Sequence, residues 1–311
     1  MIFDPMAQIV VGNMGWVDKG ALWIFDLEKQ AARLVPIPGA RFLSLHAGTN
    51  GIFRVVHHHS PDQAISIRAL REPEVELASI RFDRGHAHFL GQSELWRLVE
   101  PAVIMKSDRQ TRLLLIDALR QRTVDLDLSW FTNASYDLGY QDLVDGITIA
   151  DDRVLVSVQR SSDLVVIDSQ LNRRIGSIRL AGGRGNPRLQ RHSVGVLLAS
   201  DYDTLCRLDA RSLSLLKAVQ LQEPAATGAQ FIGDYDIGPS TGVVARPFHG
   251  DVLLVDSDSF DVLGRAMIGD QPLAICRLSE SRFVTRDWKT GAVAMGEFDS
   301  DTGSAARREH R

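Results

Sequence analysis

The chain is short of several things, and each shortage removes a class of protein. Of its 311 residues only two are cysteine, Cys206 and Cys276, set in the apolar runs "TLCRLD" and "LAICRL" without metal-ligand spacing. Buried free thiols are therefore expected rather than a disulfide framework. Lysine is scarce as well: five of the 35 basic residues, the rest being arginine. Charge is nearly balanced, with 39 acidic side chains and a net charge of only −4. A general nucleic-acid binder shows a basic excess, so nucleic acid is not an expected partner. No apolar run reaches the roughly 18 residues that a membrane helix needs. The first residues, "MIFDPMAQIVVGNMGW", lack the basic segment and long apolar core of a signal peptide, which makes a cytoplasmic location the expectation. Nothing reads as a long amphipathic helix.

What is present is a globular composition, 44% hydrophobic and 24% charged, arranged in a repeat. A short apolar run ending in Asp returns as "LWIFD" (Asp26), "LLLID" (Asp117), "LVVID" (Asp168), "LCRLD" (Asp209) and "VLLVD" (Asp256). "AISIRAL" (Ala64 to Leu70) fills the double gap after Asp26 without the Asp, and "AVAMGEF" (Ala292 to Phe298) ends the series. Seven units of about 44 residues result.

Each unit has one internal grammar, clearest in "DGITIADDRVLVSVQRSSDLVVIDSQLNRRIGSIRLAGG". Four β-rich runs, Gly146 to Ala150, Val154 to Gln159, Leu164 to Asp168 and Arg174 to Leu180, are separated by short polar turns. A four-stranded meander at this period is what a β-propeller blade requires. The expected fold is all-β: a single seven-bladed β-propeller of four-stranded antiparallel blades over residues 1–299. Met1 to Pro5 are expected at the ring closure beside an incomplete last blade. The polar tail "SDTGSAARREHR" (Ser300 to Arg311) is expected to be disordered.

"DVLLVDSDSFDVLGRAMIGDQPLAICRLSESRFVTRD" resembles the YVTN-type repeat of the WD40-like propeller superfamily, in which an apolar strand ends in Asp and a "vGxxP" turn leads inward. Gly269, Asp270, Gln271 and Pro272 stand at that turn, and "FVTRD" (Phe283 to Asp287) stands where the family has its "YVTN". The match is good at this junction, fair around Asp168 and poor over residues 38–105. The resemblance implies the fold but no activity, since propellers of similar design serve as lactonases, lyases, hydrolases and scaffolds.

A propeller gives each blade two ends. With strands A (inner) to D (outer), the B to C and D to A connections share one face, the usual place for a site. The ends of the B strands supply one polar residue per blade: Asn13, His57, Lys106, Gln159, Ser200, Arg246 and Arg286. The D to A segments add Arg84, His86 and His88, then Tyr136, Tyr140 and Asp142, then Arg184, Asn186, Arg188, Arg191 and His192. Seven of the nine histidines are expected on this face: His57, His58 and His59 of "VVHHHSPD", with His86, His88, His192 and His249.

Three uses of such a face are distinguishable. In the leading one it binds a small anionic molecule or carbohydrate through His57, His59, Lys106, Tyr136, Tyr140, Arg188, Arg246, His249, Arg286 and Trp288. Guanidinium groups suit carboxylate and phosphate oxygens, and aromatic rings stack on sugars. In the alternative a divalent transition metal sits among His57, His59, His86 and His88 and supports lyase, lactonase or hydrolase chemistry. His57, His86, His88 and His192 are then the candidates for catalysis, and His192, His249, Asp201 and Asp203 are available to complete the metal's ligand shell. In the third the propeller is a scaffold for a partner protein. "HExxH" and the phosphate-loop and dinucleotide fingerprints are all missing, so the pattern names no reaction.

Overall fold

In a computed structural model of the chain the described residues are 1–13, 20–38, 42–47, 51–58, 64–81, 102–106, 112–117, 122–127, 143–150, 153–158, 162–168, 170–171, 173–182, 187–193, 195–221, 231–269, 271–287, 289–298 and 305–310. Their regular structure is entirely β, in antiparallel sheets that follow one another along the chain. Sheet 1 holds β1 (Ile2–Asp4), β2 (Ile9–Asn13), β3 (Ala21–Asp26) and β4 (Ala31–Pro36). Sheet 2 holds β5 (Phe42–Ala47), β6 (Ile52–His58), β7 (Ala64–Ala69) and β8 (Glu76–Arg81). Sheet 3 has three strands among the described residues, β9 (Ala102–Lys106), β10 (Arg112–Asp117) and β11 (Arg122–Asp127). Sheet 4 holds β12 (Leu143–Ala150), β13 (Arg153–Val158), β14 (Asp163–Asp168) and β15 (Arg173–Arg179). Sheet 5 holds β16 (Arg188–Ser193), β17 (Val196–Asp201), β18 (Thr204–Asp209) and β19 (Ser214–Gln220). Sheet 6 holds β20 (Asp234–Ile237), β21 (Thr241–Arg246), β22 (Asp251–Asp256) and β23 (Val262–Met267). Sheet 7 holds β24 (Pro272–Arg277), β25 (Arg282–Asp287), β26 (Val293–Phe298) and β27 (Ala305–His310).

Two expectations at the chain ends change. Ala305–His310, expected to lie in a disordered tail, forms β27 and pairs with β26 from Val293↔His310 to Phe298↔Ala305. The last sheet is therefore complete without the N-terminus. An outer strand needs only one backbone ladder and little apolar surface, so a polar sequence suffices there. The N-terminal residues instead form β1, the first strand of their own sheet. Met1 and Phe3 still face sheet 7, packing against the cluster of Val10, Trp23, Phe25, Val284 and Met295 that joins sheets 1 and 7.

Burial explains the apolar runs. Strands facing a solvent and a core alternate, whereas β17 buries five consecutive residues, Leu197 to Asp201, and β14 four, Leu164 to Ile167. Both faces of these sheets are covered. One cluster joins sheets 4 and 5 (Leu155, Val166, Leu189, Ala199), a second sheets 5 and 6 (Leu198, Leu205, Tyr235, Val244), a third sheets 6 and 7 (Val243, Ala266, Ile275, Phe283). Sheets 1 and 2 meet through Val11, Leu22, Phe53 and Val55. Fourth strands lie outermost, and β19 buries none of its seven residues.

The recurring Asp has a structural job. It ends the third strand, and its carboxylate accepts backbone N–H groups of the turn that follows. Asp168 takes those of Gln170 (2.9 Å) and Leu171 (2.8 Å), Asp209 those of Arg211 (2.9 Å) and Ser212 (2.6 Å), Asp256 those of Asp258 (2.9 Å) and Ser259 (2.6 Å). Asp26 takes that of Lys29. Four residues beyond Asp26, Asp209 and Asp256 the backbone is left-handed, at Gln30, Leu213 and Phe260 (φ 50°, 57° and 60°). This is a turn plus αL residue that reverses the strand, and Asp is suited to start it because its side chain mimics a turn carbonyl.

Candidate functional site

In each four-stranded sheet the second strand finishes at the end of the ladder where the first and third begin. β2 ends at Asn13, β6 at His58, β13 at Val158, β17 at Asp201, β21 at Arg246 and β25 at Asp287, and in sheet 3 the first described strand, β9, ends at Lys106. Asn13, His57, Lys106, Ser200, Arg246 and Arg286 thus stand at these ends or one residue within them. Gln159, His59, His86, His88, Tyr136, Tyr140 and Trp288 lie outside the described residues, as do Arg84, Asp142, Arg184 and Asn186.

Sheets 5 to 7 show how this end is held. Arg188 opens β16 and forms an ion pair with Asp234, which opens β20 (Nη1–Oδ1 3.0 Å), both side chains being over nine-tenths buried. Asp234 Oδ2 also accepts the N–H of Ile275 in β24 (3.3 Å), so one carboxylate links the first strands of three successive sheets. The Tyr235 hydroxyl donates to the carbonyls of Arg188 (2.8 Å) and Leu198 (3.2 Å). Arg246 grips Asp251 with two parallel hydrogen bonds (Nε–Oδ1 2.9 Å, Nη2–Oδ2 2.5 Å) and donates from Nη1 to the carbonyl of Leu221 (2.7 Å). Arg265 adds an ion pair to the same Oδ2 (2.5 Å). Asp251 is fully buried, so this fork is a charge-assisted clamp across the loop Pro247–Gly250.

Arg286 is buried next to Asp287. Asp287 Oδ1 accepts from the backbone of Lys289 (2.9 Å) and Thr290 (2.5 Å) and from the Thr290 hydroxyl (2.7 Å), while Oδ2 accepts from Gln271 N (2.6 Å). Burial works against ionisation of this carboxyl more than any single bond favours it, but the four bonds together hold its pKa below the ordinary 3.8. In this turn Gly291, again four residues on, takes the left-handed conformation (φ 75°).

The loop that the Arg246–Asp251 clamp closes carries Phe248 and His249. His249 is half-buried and donates its backbone N–H to the Arg246 carbonyl (3.1 Å). Phe248 is 53% exposed and meets Phe231, from the segment entering β20, edge to face (centroids 5.0 Å apart, 76° between planes). The Asp251 and Asp234 partners and this aromatic pair are absent from the sequence-based set. Only Asp251 leaves a local trace, a carboxylate just beyond the tight loop that Arg246 opens.

His192 is misplaced by the sequence pattern. The Gly-rich segment before it ends at Pro187, and β16 starts at Arg188. His192 falls at a bulge near the opposite end of that strand, where Arg191 faces Leu197 and Ser193 faces Val196. It lies at the turn between the first and second strands, away from His249, where burial chiefly, and then the charge of Arg207, lower its pKa below 6.5. Among the described residues no group of three or more His, Cys, Asp or Glu side chains is placed to hold a metal ion. Cys206 and Cys276 are buried thiols whose pKa values burial pushes up to about 11 and about 12, leaving them unreactive at neutral pH. No helix among the described residues is long and apolar enough to cross a membrane.

No protein-family model matches the chain, and no curated protein matches it by sequence. Solved structures do. The β-propeller domain of Cps50 (Swd1) from Myceliophteria thermophila aligns with a TM-score of 0.65 at 14% identity, covering 94% of both chains. A protein from Lactobacillus plantarum aligns with a TM-score of 0.66 at 10% identity over 97% of this chain and 94% of its own. The C-terminal WD40 domain of Sif2 gives 0.55 at 13% identity, over 98% of this chain and 83% of its own. At such identities the likeness concerns the fold alone: this chain has a β-propeller fold.

Proposed function

We propose that the chain is a seven-bladed propeller serving as a scaffold for a partner protein, with docking at the face where the second strands end. The observation that carries this reading is the exposed Phe248, braced by Phe231 on a loop clamped by Arg246 and Asp251. A rigid, partly exposed aromatic beside a satisfied polar framework is the usual anatomy of an interface anchor. Arg188 and Arg246 serve the framework in this reading, because Asp234 and Asp251 already neutralise them. Affinity purification with the parent chain and with a Phe231→Ala, Phe248→Ala variant tests it. The expected result is a stoichiometric partner retained by the parent and lost by a folded variant; a partner retained equally by both, or none at all, overturns it.

A small anionic or sugar-like ligand is the second reading, favoured by the polar residues that end the second strands. It rests on His57, His59, Lys106, Tyr136, Tyr140, His249, Arg286 and Trp288. Metal-assisted lyase or hydrolase chemistry draws on His57, His59, His86 and His88 instead. Elemental analysis of untagged protein after loading with Zn²⁺ or Mn²⁺ separates the two: retained metal supports the latter, and its loss on washing removes it.

A further inference from the structure

We infer that the fourth strands carry a built-in guard against pairing with a second copy of this chain, in the form of a bulge repeated at the same place in four sheets. In sheet 2 the ladder runs from Ile67↔Ala78 to Arg68↔Glu76, stepping over Leu77. In sheet 4 it runs from Val166↔Gly176 to Ile167↔Arg174, stepping over Ile175. Sheet 5 steps over Leu216, between Arg207↔Lys217 and Leu208↔Leu215. Sheet 6 steps over Leu263, between Leu254↔Gly264 and Val255↔Val262. Each time the skipped residue is a large aliphatic, and all four are between 41% and 55% exposed.

A large apolar residue left this exposed contributes little by burial, so the bulged residue is not there to fill a core. What recurs is the backbone consequence. An extra residue kinks the strand, increases its twist and breaks the even spacing of outward N–H and C=O groups that an incoming strand would need. Outer strands are the templates for edge-to-edge association, and those with few charges are the most exposed to it. β19 and β23 fit that description, with one charged side chain each, Lys217 and Arg265. The outer strands whose ladders run unshifted, β4, β11 and β27, are blunted by other means. β4 ends in Pro36, which has no N–H to offer; β11 carries Arg122, Asp125 and Asp127; β27 carries Arg307, Arg308 and Glu309.

The test is to straighten two edges. A chain lacking Leu216 and Leu263 is compared by sedimentation with the parent and with a Leu216→Ser, Leu263→Ser variant that keeps both bulges, circular dichroism reporting whether each is folded. The shortened chain is expected to self-associate at least roughly tenfold more tightly than the parent, and the serine variant to behave like the parent. A folded, shortened chain as dispersed as the parent overturns the inference. So does a serine variant with altered association, since the side chains and not the bulges would then matter. Should the shortened chain not fold, inserting Ser between Arg33 and Leu34 gives β4 the bulge it lacks. Heat-induced aggregation is then expected to slow several-fold, and an unchanged or faster rate overturns the guard.

Discussion

The two ends of the sheets are held by different chemistry. At the turns between third and fourth strands, Asp26, Asp168, Asp209 and Asp256 bond to backbone two or three residues away. At the end where second strands finish, Arg188 and Asp234 pair across two sheets and Arg246 and Asp251 across a loop, all buried. A local, exposed cap orders little chain and replaces water, so its net effect is small. A buried ion pair has already lost its hydration, so removing one member strands the other in a medium that cannot solvate it. The turn end therefore tolerates sequence change and the other end does not.

The largest effect expected from this contrast is that of Asp251→Ala. Arg246 and Arg265 lose their shared carboxylate, and denaturant unfolding should show a loss of about 3–5 kcal/mol. Replacing Arg246 by Met together with Asp251 by Leu should cost much less, because the buried guanidinium goes with its carboxylate and only the partly exposed Arg265 loses a partner. A double variant as damaged as the single one would mean that the clamp matters through its hydrogen bond to Leu221, and not through charge. Asp234→Ala follows at about 3 kcal/mol, since one arginine is stranded and the link to Ile275 is lost.

The same contrast decides what was legible in the sequence. A cap made by a residue with its own neighbours repeats whenever the turn repeats, so the Asp series announced strand ends, period and fold together. Pairs such as Arg188 with Asp234 join residues from different units, and no spacing rule ties them. Hence both arginines read as ligand-binding side chains when taken without their partners. His192 was lost to a different cause: loop and strand are both polar after Pro187, and only the ladder with β17 shows where β16 begins. β27 was hidden because an outer strand can be as hydrophilic as a disordered tail.

Asp287 stands between the two extremes, a local cap that is nonetheless buried. Asp287→Ala strands the N–H groups of Gln271, Lys289 and Thr290, and about 1–3 kcal/mol should be lost. Its carboxyl also gives a pH signature. Its pKa is lower in the folded chain than the ordinary 3.8, so its contribution is complete above that value and vanishes as pH falls through the folded pKa. Asp209 and Asp256 follow the same sign, the backbone N–H groups of Ser212 and Ser259 being the main cause. Acid unfolding of an Asp209→Asn, Asp256→Asn, Asp287→Asn variant should start from a lower stability at neutral pH and change less as pH falls below 4 than the parent does. Parallel curves for variant and parent would remove these carboxylates from the acid response.

Phe248→Ala should change stability least, by at most about 1 kcal/mol, since it removes half of an edge-to-face pair and an already exposed ring. Binding is expected to respond in the opposite order. An aromatic anchor at an interface is typically worth about 2 kcal/mol or more, so a partner's affinity should fall some thirtyfold or further. Asp209→Ala, at the far end of its sheet, should leave that affinity unchanged. If the cap variant weakens binding as much as Phe248→Ala does, docking is not confined to the face that Phe248 marks, and the division of labour between the two ends fails.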